Sequence, residues 1–217
     1  MDNEPGPVTA ADVTAAVALV RDAFAGVPDD AWDAPAGALT WTCWETIEHA
    51  ADDLFAYAAQ LATSDPAHEA YLPIVWRHDR EGGPASTVFV KRTAGTRGLL
   101  QVLDACGAFL SNAVAAAPAD RRAYHPWGLA DPEGFAAMGV VEVVVHAHDV
   151  ARGLGRGWQP PADLCARVLH RLFPDAPRDE DPWPTLLWAT GRGELPGRTL
   201  LATWRWDGAP QPPVRSS

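Results

Sequence analysis

Residues 131–155 read DPEGFAAMGVVEVVVHAHDVARGLG, and the reading of this stretch decides the fold. Asp131 can cap a helix, Pro132 suits the first helical position, and Glu133 favours the positive end of the helix dipole. Gly153 and Gly155 are natural stops. Between them Val140, Val141, Val143, Val144 and Val145 make most of the circumference apolar, and a helix apolar all round belongs inside a protein. Yet the stretch carries Glu142, His146 and Asp149. At about 100° per residue, His146 lies about 40° and Asp149 about 20° from Glu142 around the axis, so all three share one narrow stripe. A buried carboxylate and imidazole are costly without compensation, and a metal ion is the economical way to supply it.

The same valines also suit a strand, in which His146 and His148 would share a face as an H-x-H metal pair. Roughly 20 residues between a cap and a glycine stop are too many for an ordinary strand. In the helix His148 points about 200° away from His146, which makes it a bystander.

The rest of the chain is compatible with one domain over residues 1–217. A net charge of −11 leaves no basic field for phosphates, so nucleic acid is not an expected partner. No apolar run approaches the roughly 20 residues that span a bilayer. The acidic opening MDNEPGPVTAAD lacks the basic start of a signal peptide. Cys43, Cys106 and Cys165 are scattered, with no C-x-x-C, which argues against a disulfide framework or a thiolate zinc site and points to a reducing cytoplasm. Among ten tryptophans, several are expected to wall a pocket.

Val13, Val17, Val20 and Phe24 recur at helical spacing, giving a first helix over 9–24 with a loose capping box of Thr9 and Asp12. Thr42-Cys43-Trp44-Glu45 is a better capping box. It opens a second helix to about Ala62, with Cys43, Ile47, Ala50, Leu54, Ala58 and Leu61 facing the core. His49 lies about 120° from the centre of that stripe, a flank position that by periodicity alone reads as a surface or boundary histidine. Asp53 follows one turn on. A third helix is expected over 96–117, with Leu99, Val102, Leu103, Cys106, Phe109, Leu110 and Val114 facing inward. Between the second and third helices, STVFVK over 86–91 is either a strand or an ordered connector. After the central helix, short helices are expected over 162–173 and 182–189. Residues 200–206, LLATWRW, alternate weakly and predict a strand or hairpin arm. From about residue 208 the proline-rich tail is expected to be mobile. The fold class is therefore all-α, a four-helix bundle with short C-terminal helices and a small strand or hairpin near the C-terminus.

Bundles build metal sites from facing helices. Glu142 and His146 at i, i+4 offer two ligands, and a third from another helix would leave an open position, the pattern of a catalytic zinc site.

WTCWETIEHAADDLFAYAAQL over 41–61, followed by EVVVHAHDVARGLG over 142–155, resembles the DinB-like metal-dependent superfamily. Within it the chain is most similar to the mycothiol-dependent maleylpyruvate isomerase N-terminal domain branch. The resemblance runs over most of the chain and implies that His49 joins Glu142 and His146 in holding zinc. Asp149 also matches the branch. The isomerases carry a further C-terminal domain that contributes to the active site. The last 50 or so residues are expected to be too few and too proline-rich to supply one, so what carries over is the bundle, the metal and thiol chemistry at the metal.

The resemblance implies that a low-molecular-weight thiol, mycothiol, is held on zinc as the thiolate and attacks a small electrophile, as in an isomerase or thiol transferase. Arg77, Arg92 or Arg152 is then a candidate for binding a substrate carboxylate. Asp149 and Arg77 are the catalytic candidates. Asp53, His125, Trp127 and Arg152 are the candidates for lining the substrate site, and Asp53 is also a reserve ligand. The expected partners are small molecules, and the chain a monomer or homodimer. Other readings are a metal-dependent hydrolase or lyase with zinc-bound water as nucleophile and Asp149 or Asp53 as base, a non-catalytic regulator, or a metal-free helical binding module.

Overall fold

The computed structural model describes residues 5–210. Among these residues there are six α-helices: α1 Ala10–Phe24, α2 Cys43–Ala62, α3 Gly95–Ala116, α4 Pro132–Gly153, α5 Ala162–Leu172 and α6 Pro182–Ala189. The fold is all-α, with one two-stranded antiparallel hairpin of β1 Arg77–His78 and β2 Ala85–Ser86.

Side-chain caps set the helix starts. The Thr9–Asp12 and Thr42–Glu45 boxes both close reciprocally, Thr42 Oγ1 accepting from the Glu45 N–H at 3.2 Å. Asp131 Oδ1 accepts from the Gly134 N–H at 2.8 Å, and Asp181 caps α6 in the same way. Each such cap satisfies backbone donors that the first turn leaves unpaired.

α1 to α4 form the bundle, and α4 lies at its centre against α1, α2, α3 and α5. Its valines and Phe135, Ala136, Ala137 and Met138 are all buried. At Gly139 a Cβ would stand 2.4 Å from Leu110 Cδ2, so glycine lets α3 and α4 approach closely. By length and hydropathy both α3 and α4 could cross a membrane, contrary to the expectation that no apolar run comes near that length. The α4 window is 89% buried among the other elements of this fold. Phe109 departs from the expected inward face of α3 and is 54% exposed.

The α2–α3 connection is an ordered strap. Glu48 and Asp52, both buried on α2, hold it down. Glu48 Oε1 accepts from the Val90 N–H at 2.7 Å, and Asp52 Oδ1 accepts from Thr87 and Val88, each at 2.7 Å. Asp52 Oδ2 takes the Trp76 indole N–H at 3.2 Å. The hairpin belongs to this strap.

The strand expected over 200–206 does not form. Among the described residues no neighbouring strand offers it a ladder, and Trp204 and Trp206 instead pack against Trp127, with centroids 5.7 and 4.8 Å from it. The expected mobile tail begins docked. Gly208 N–H donates to Trp127 O at 2.7 Å, and Arg171 donates to Gly208 O and Ala209 O at 3.1 Å each. Residues 211–217 of that expectation lie outside the described residues.

Candidate metal centre

α2 presents His49 and Asp53 one turn apart, and α4 presents Glu142 and His146 one turn apart. One ligand atom from each of the four lies within 4.8 Å of all the others. His49 Nε2 is 3.2 Å from Asp53 Oδ2, and His146 Nε2 is 3.2 Å from Glu142 Oε2. The two imidazoles meet edge to face at 5.1 Å. His49 reaches this position because α2 is enclosed on both sides, by the bundle and by the strap. Its flank therefore faces α4 rather than solvent.

The cluster is only partly satisfied from within. His49 Nδ1 is buried and has no hydrogen-bond partner among the described residues, and the buried Asp53 Oδ2, though 3.2 Å from His49 Nε2, makes no well-formed hydrogen bond. Native structures rarely leave such atoms unpaired, because each carries the full cost of desolvation.

The electrostatics follow from burial and neighbours. Burial, helped by the His146 charge, lowers the His49 pKa to about 4. Burial, with the adjacent Glu142 charge, pushes the Asp53 carboxyl well above the usual carboxylate range. Burial also acts to raise Glu142, but the hydrogen bond and charge of His146 outweigh it and hold that carboxyl low. For His146 burial acts downward, and the Asp149 and Glu142 carboxylates outweigh it and raise the imidazole.

A second layer supports these groups. Tyr57 Oη donates to Glu142 Oε1 at 3.3 Å. Asp149 Oδ2 accepts from His146 Nδ1 at 3.2 Å. Arg192 clamps Asp149, its Nη2 donating to Oδ2 at 2.8 Å and its Nε lying 3.1 and 3.0 Å from Oδ1 and Oδ2. Carboxylates that orient metal-binding histidines in this way are the usual outer shell of such sites.

The cluster opens onto a cavity of about 630 Å³ whose walls include Trp41, Trp127, Trp204 and Trp206, with Arg152 exposed at its rim. A larger cavity of about 810 Å³ lies across the shared Trp127–Trp204–Trp206 wall and contains none of the four cluster residues.

Other candidates fall elsewhere. Arg77 is exposed on the hairpin with its guanidinium 4.9 Å from the Phe89 ring centroid, so the strap holds it away from the cavity. Arg92 stacks on Trp44 and pairs with Asp33. His125 is buried but does not line the cluster's cavity. It packs behind Trp127 and Trp206, and its Nδ1 accepts the Trp127 N–H at 3.1 Å. His148 packs against Trp183 and stays outside the cluster.

Sequence reasoning passed over Tyr57, Trp41 and Arg192. Tyr57 could have been found, since 49, 53 and 57 repeat every four residues along one face of α2. Arg192 carried no such local signal.

The family described as mycothiol maleylpyruvate isomerase N-terminal domain matches residues 13–151. No curated protein and no solved structure matches the chain. His49, Asp53, Tyr57, Glu142, His146 and Asp149 fall inside the matched stretch, whereas Arg152, Arg192, Trp204 and Trp206 fall outside it. Since more than half of the sequence is matched, the chain belongs to the mycothiol maleylpyruvate isomerase N-terminal domain family.

Proposed function

We propose that this chain is a zinc-dependent enzyme that activates a low-molecular-weight thiol, mycothiol, for isomerase or transferase chemistry on a small electrophile. His49, Glu142 and His146 would hold the metal, with Asp53 as an adjoining carboxylate. The observation that carries this reading is the four-residue cluster, with two buried atoms left without a well-formed hydrogen bond, beside a tryptophan-walled cavity. Two imidazoles and carboxylates are a donor set zinc accepts, and three ligands leave a position open to a substrate.

Bound zinc would supply a Lewis acid that holds the thiol as thiolate near neutral pH. Burial disfavours the His49 cation and the neighbouring His146 holds the Glu142 carboxyl low, both as ligation requires, whereas His146, raised by its two carboxylate neighbours, would release its proton on binding the metal. Tyr57 orients Glu142, and the tryptophans exclude water. Arg152 stands at the rim, where a substrate carboxylate would meet it.

The nucleophilic thiol has to come from outside. Cys43, Cys106 and Cys165 are buried and unpaired, and burial raises them to about 11, about 11 and about 12. Thiols so protonated are poor nucleophiles. Unpaired cysteines also fit a reducing compartment, the cytoplasm.

The test is elemental analysis followed by calorimetry with mycothiol. One divalent metal per chain and a metal-dependent heat, abolished in Glu142→Ala, are the expected results. A gently purified protein without stoichiometric metal would overturn the reading. A metallated protein that binds no thiol would favour a metal-dependent hydrolase or lyase. Asp53 would then be the candidate base, since both Asp149 oxygens are already engaged by Arg192 and His146.

A further inference from the structure

We propose that the electrophile taken by this site is a flat, apolar body about 9 Å long with a single carboxylate at one end, an aromatic monoacid and not a diacid. The proposal rests on the proposed function in taking the metal cluster as the place of reaction and in giving the open metal position to the thiol.

A second stripe on α4 runs beside the ligands. Val141, Val145, His148 and Arg152 follow at steps of four, three and four residues, so they share a face and all line the cavity. Val141 and Val145 are buried and make that part of the wall apolar. His148 packs edge to face on Trp183 at 5.6 Å. Much of the remaining wall is tryptophan. Trp41 lies beside the cluster, its ring centroid 4.7 Å from that of His49 and 6.1 Å from that of His146. Trp127, Trp204 and Trp206 pack on one another at centroid distances between 4.8 and 5.7 Å. Such walls favour a flat apolar body, which sheds water on entry and stacks on the indoles or meets their edges.

The fixed positive charges on the wall are two arginines, and no lysine lines it. Arg192 is already engaged: Nε and Nη2 hold Asp149, and Nη1 donates to Thr190 O at 2.9 Å. Arg152 is exposed at the rim and pairs with no carboxylate among the described residues. One substrate carboxylate therefore finds a guanidinium. A second would lie unpaired against tryptophan and valine, which desolvation disfavours. The length follows from the helix. Arg152 stands six positions beyond His146, about 9 Å along the α4 axis, and both side chains lean the same way, so the offset survives. A substrate with its carboxylate on Arg152 and its reacting carbon at the cluster has the span of a two-ring aromatic acid. Arg152, Trp204 and Trp206 fall beyond the family match, so this selectivity belongs to the part of the chain that the family does not define.

The test is calorimetric titration of the full chain as purified, with mycothiol present, its metal content measured alongside, and non-reacting acids as probes. Naphthoate should bind at least about 10-fold more tightly than the naphthalene dicarboxylate whose acids stand at opposite ends, because that probe adds only the second charge. Succinate, a short diacid without a flat body, should bind more weakly than naphthoate as well. Arg152→Ala should weaken naphthoate by about 10-fold and leave the uncharged naphthamide unchanged. Trp41→Leu should weaken the acid and the amide alike, since it removes wall and not charge.

If Arg152→Ala does not fold, Arg152→Gln removes the charge, keeps the stem and serves in its place. No binding of naphthoate, equal or tighter binding of either diacid, or naphthoate binding indifferent to Arg152 overturns the proposal; the last would place the carboxylate on the metal. A chain without metal, or with metal that takes up no mycothiol, sinks the proposed function instead. The ranking of the acids and the effect of Arg152 still decide this proposal in that case, because the walls and the guanidinium stand in place without an ion.

Discussion

Helix α2 carries two pairs of polar residues one position out of step, the first buried and the second half-buried, and they behave oppositely. Glu48 and Asp52 face the strap. Their carboxylates accept the Val90, Thr87 and Val88 N–H groups and the Trp76 indole. His49 and Asp53 face α4, and there Asp53 Oδ2 stands 3.2 Å from His49 Nε2 without a well-formed hydrogen bond, while His49 Nδ1 has no hydrogen-bond partner among the described residues. The chemistry of the two pairs is nearly the same, so residue type does not separate a structural pair from a site. The separation comes from counting partners. A buried polar group whose hydrogen bonds are met by backbone stabilises the fold; Ser86 Oγ is also left short, so it is the clustering of four ligand-type side chains with unmet atoms that makes a candidate binding place.

The sharpest way to break this comparison is to remove one group from each pair. His49→Ala should lower zinc affinity by more than about 100-fold, beyond the usual effect of an outer-shell change. The metal-free protein should unfold close to the wild-type temperature, because an orphaned group has been removed. On α4, His146→Ala should likewise lose the metal while His148→Ala retains it. The reverse outcome for those two histidines would mean that the ligands follow strand spacing after all.

Asp52→Ala should show the opposite profile. Three donors lose their acceptor, and at about 1–3 kcal/mol for a buried group left unpaired the cost should be about 3 kcal/mol in denaturant unfolding. Zinc affinity should fall far less than in His49→Ala. A variant as stable as the wild type would show that the strap is held by other contacts.

A smaller and pH-dependent effect belongs to Asp53. Its folded pKa is raised by burial and by Glu142, so the folded metal-free protein binds the proton more tightly than the unfolded chain. The resulting stabilisation is fully present below the unfolded carboxylate value and is lost as pH rises through the folded value. Asp53→Asn should abolish that loss, so the stability difference between variant and wild type should shift in favour of the variant as pH rises. A difference that is flat with pH would place the Asp53 proton elsewhere.

The smallest effect is expected outside both pairs. Arg77→Ala should leave thiol and substrate binding unchanged, since its guanidinium lies on Phe89. Arg152→Ala should raise KM for a carboxylate substrate with little change in kcat. Equal effects from the two would remove the reason for preferring Arg152.

What the sequence by itself determined is what contiguous residues encode. The caps at Thr42 and Asp131 and the stop after Gly153 bound α2 and α4 because capping is satisfied within one turn. The stripe of Glu142, His146 and Asp149 was legible because helical periodicity alone places them together. The tertiary structure decided the rest. His49 read as a flank residue because periodicity describes one helix, whereas its aim depends on how α2 is rotated and enclosed. The clamp from Arg192 to Asp149 spans 43 positions in sequence, beyond any local pattern. The stretch over 200–206 has strand-like residues but no neighbouring strand among the described residues, so it packs its tryptophans on Trp127 instead. Glu48 and Asp52 look no different from ligands until the strap lies across them. Local chemistry chooses the elements and their faces; which face meets which is a long-range packing outcome, and here that outcome brings the four donors together.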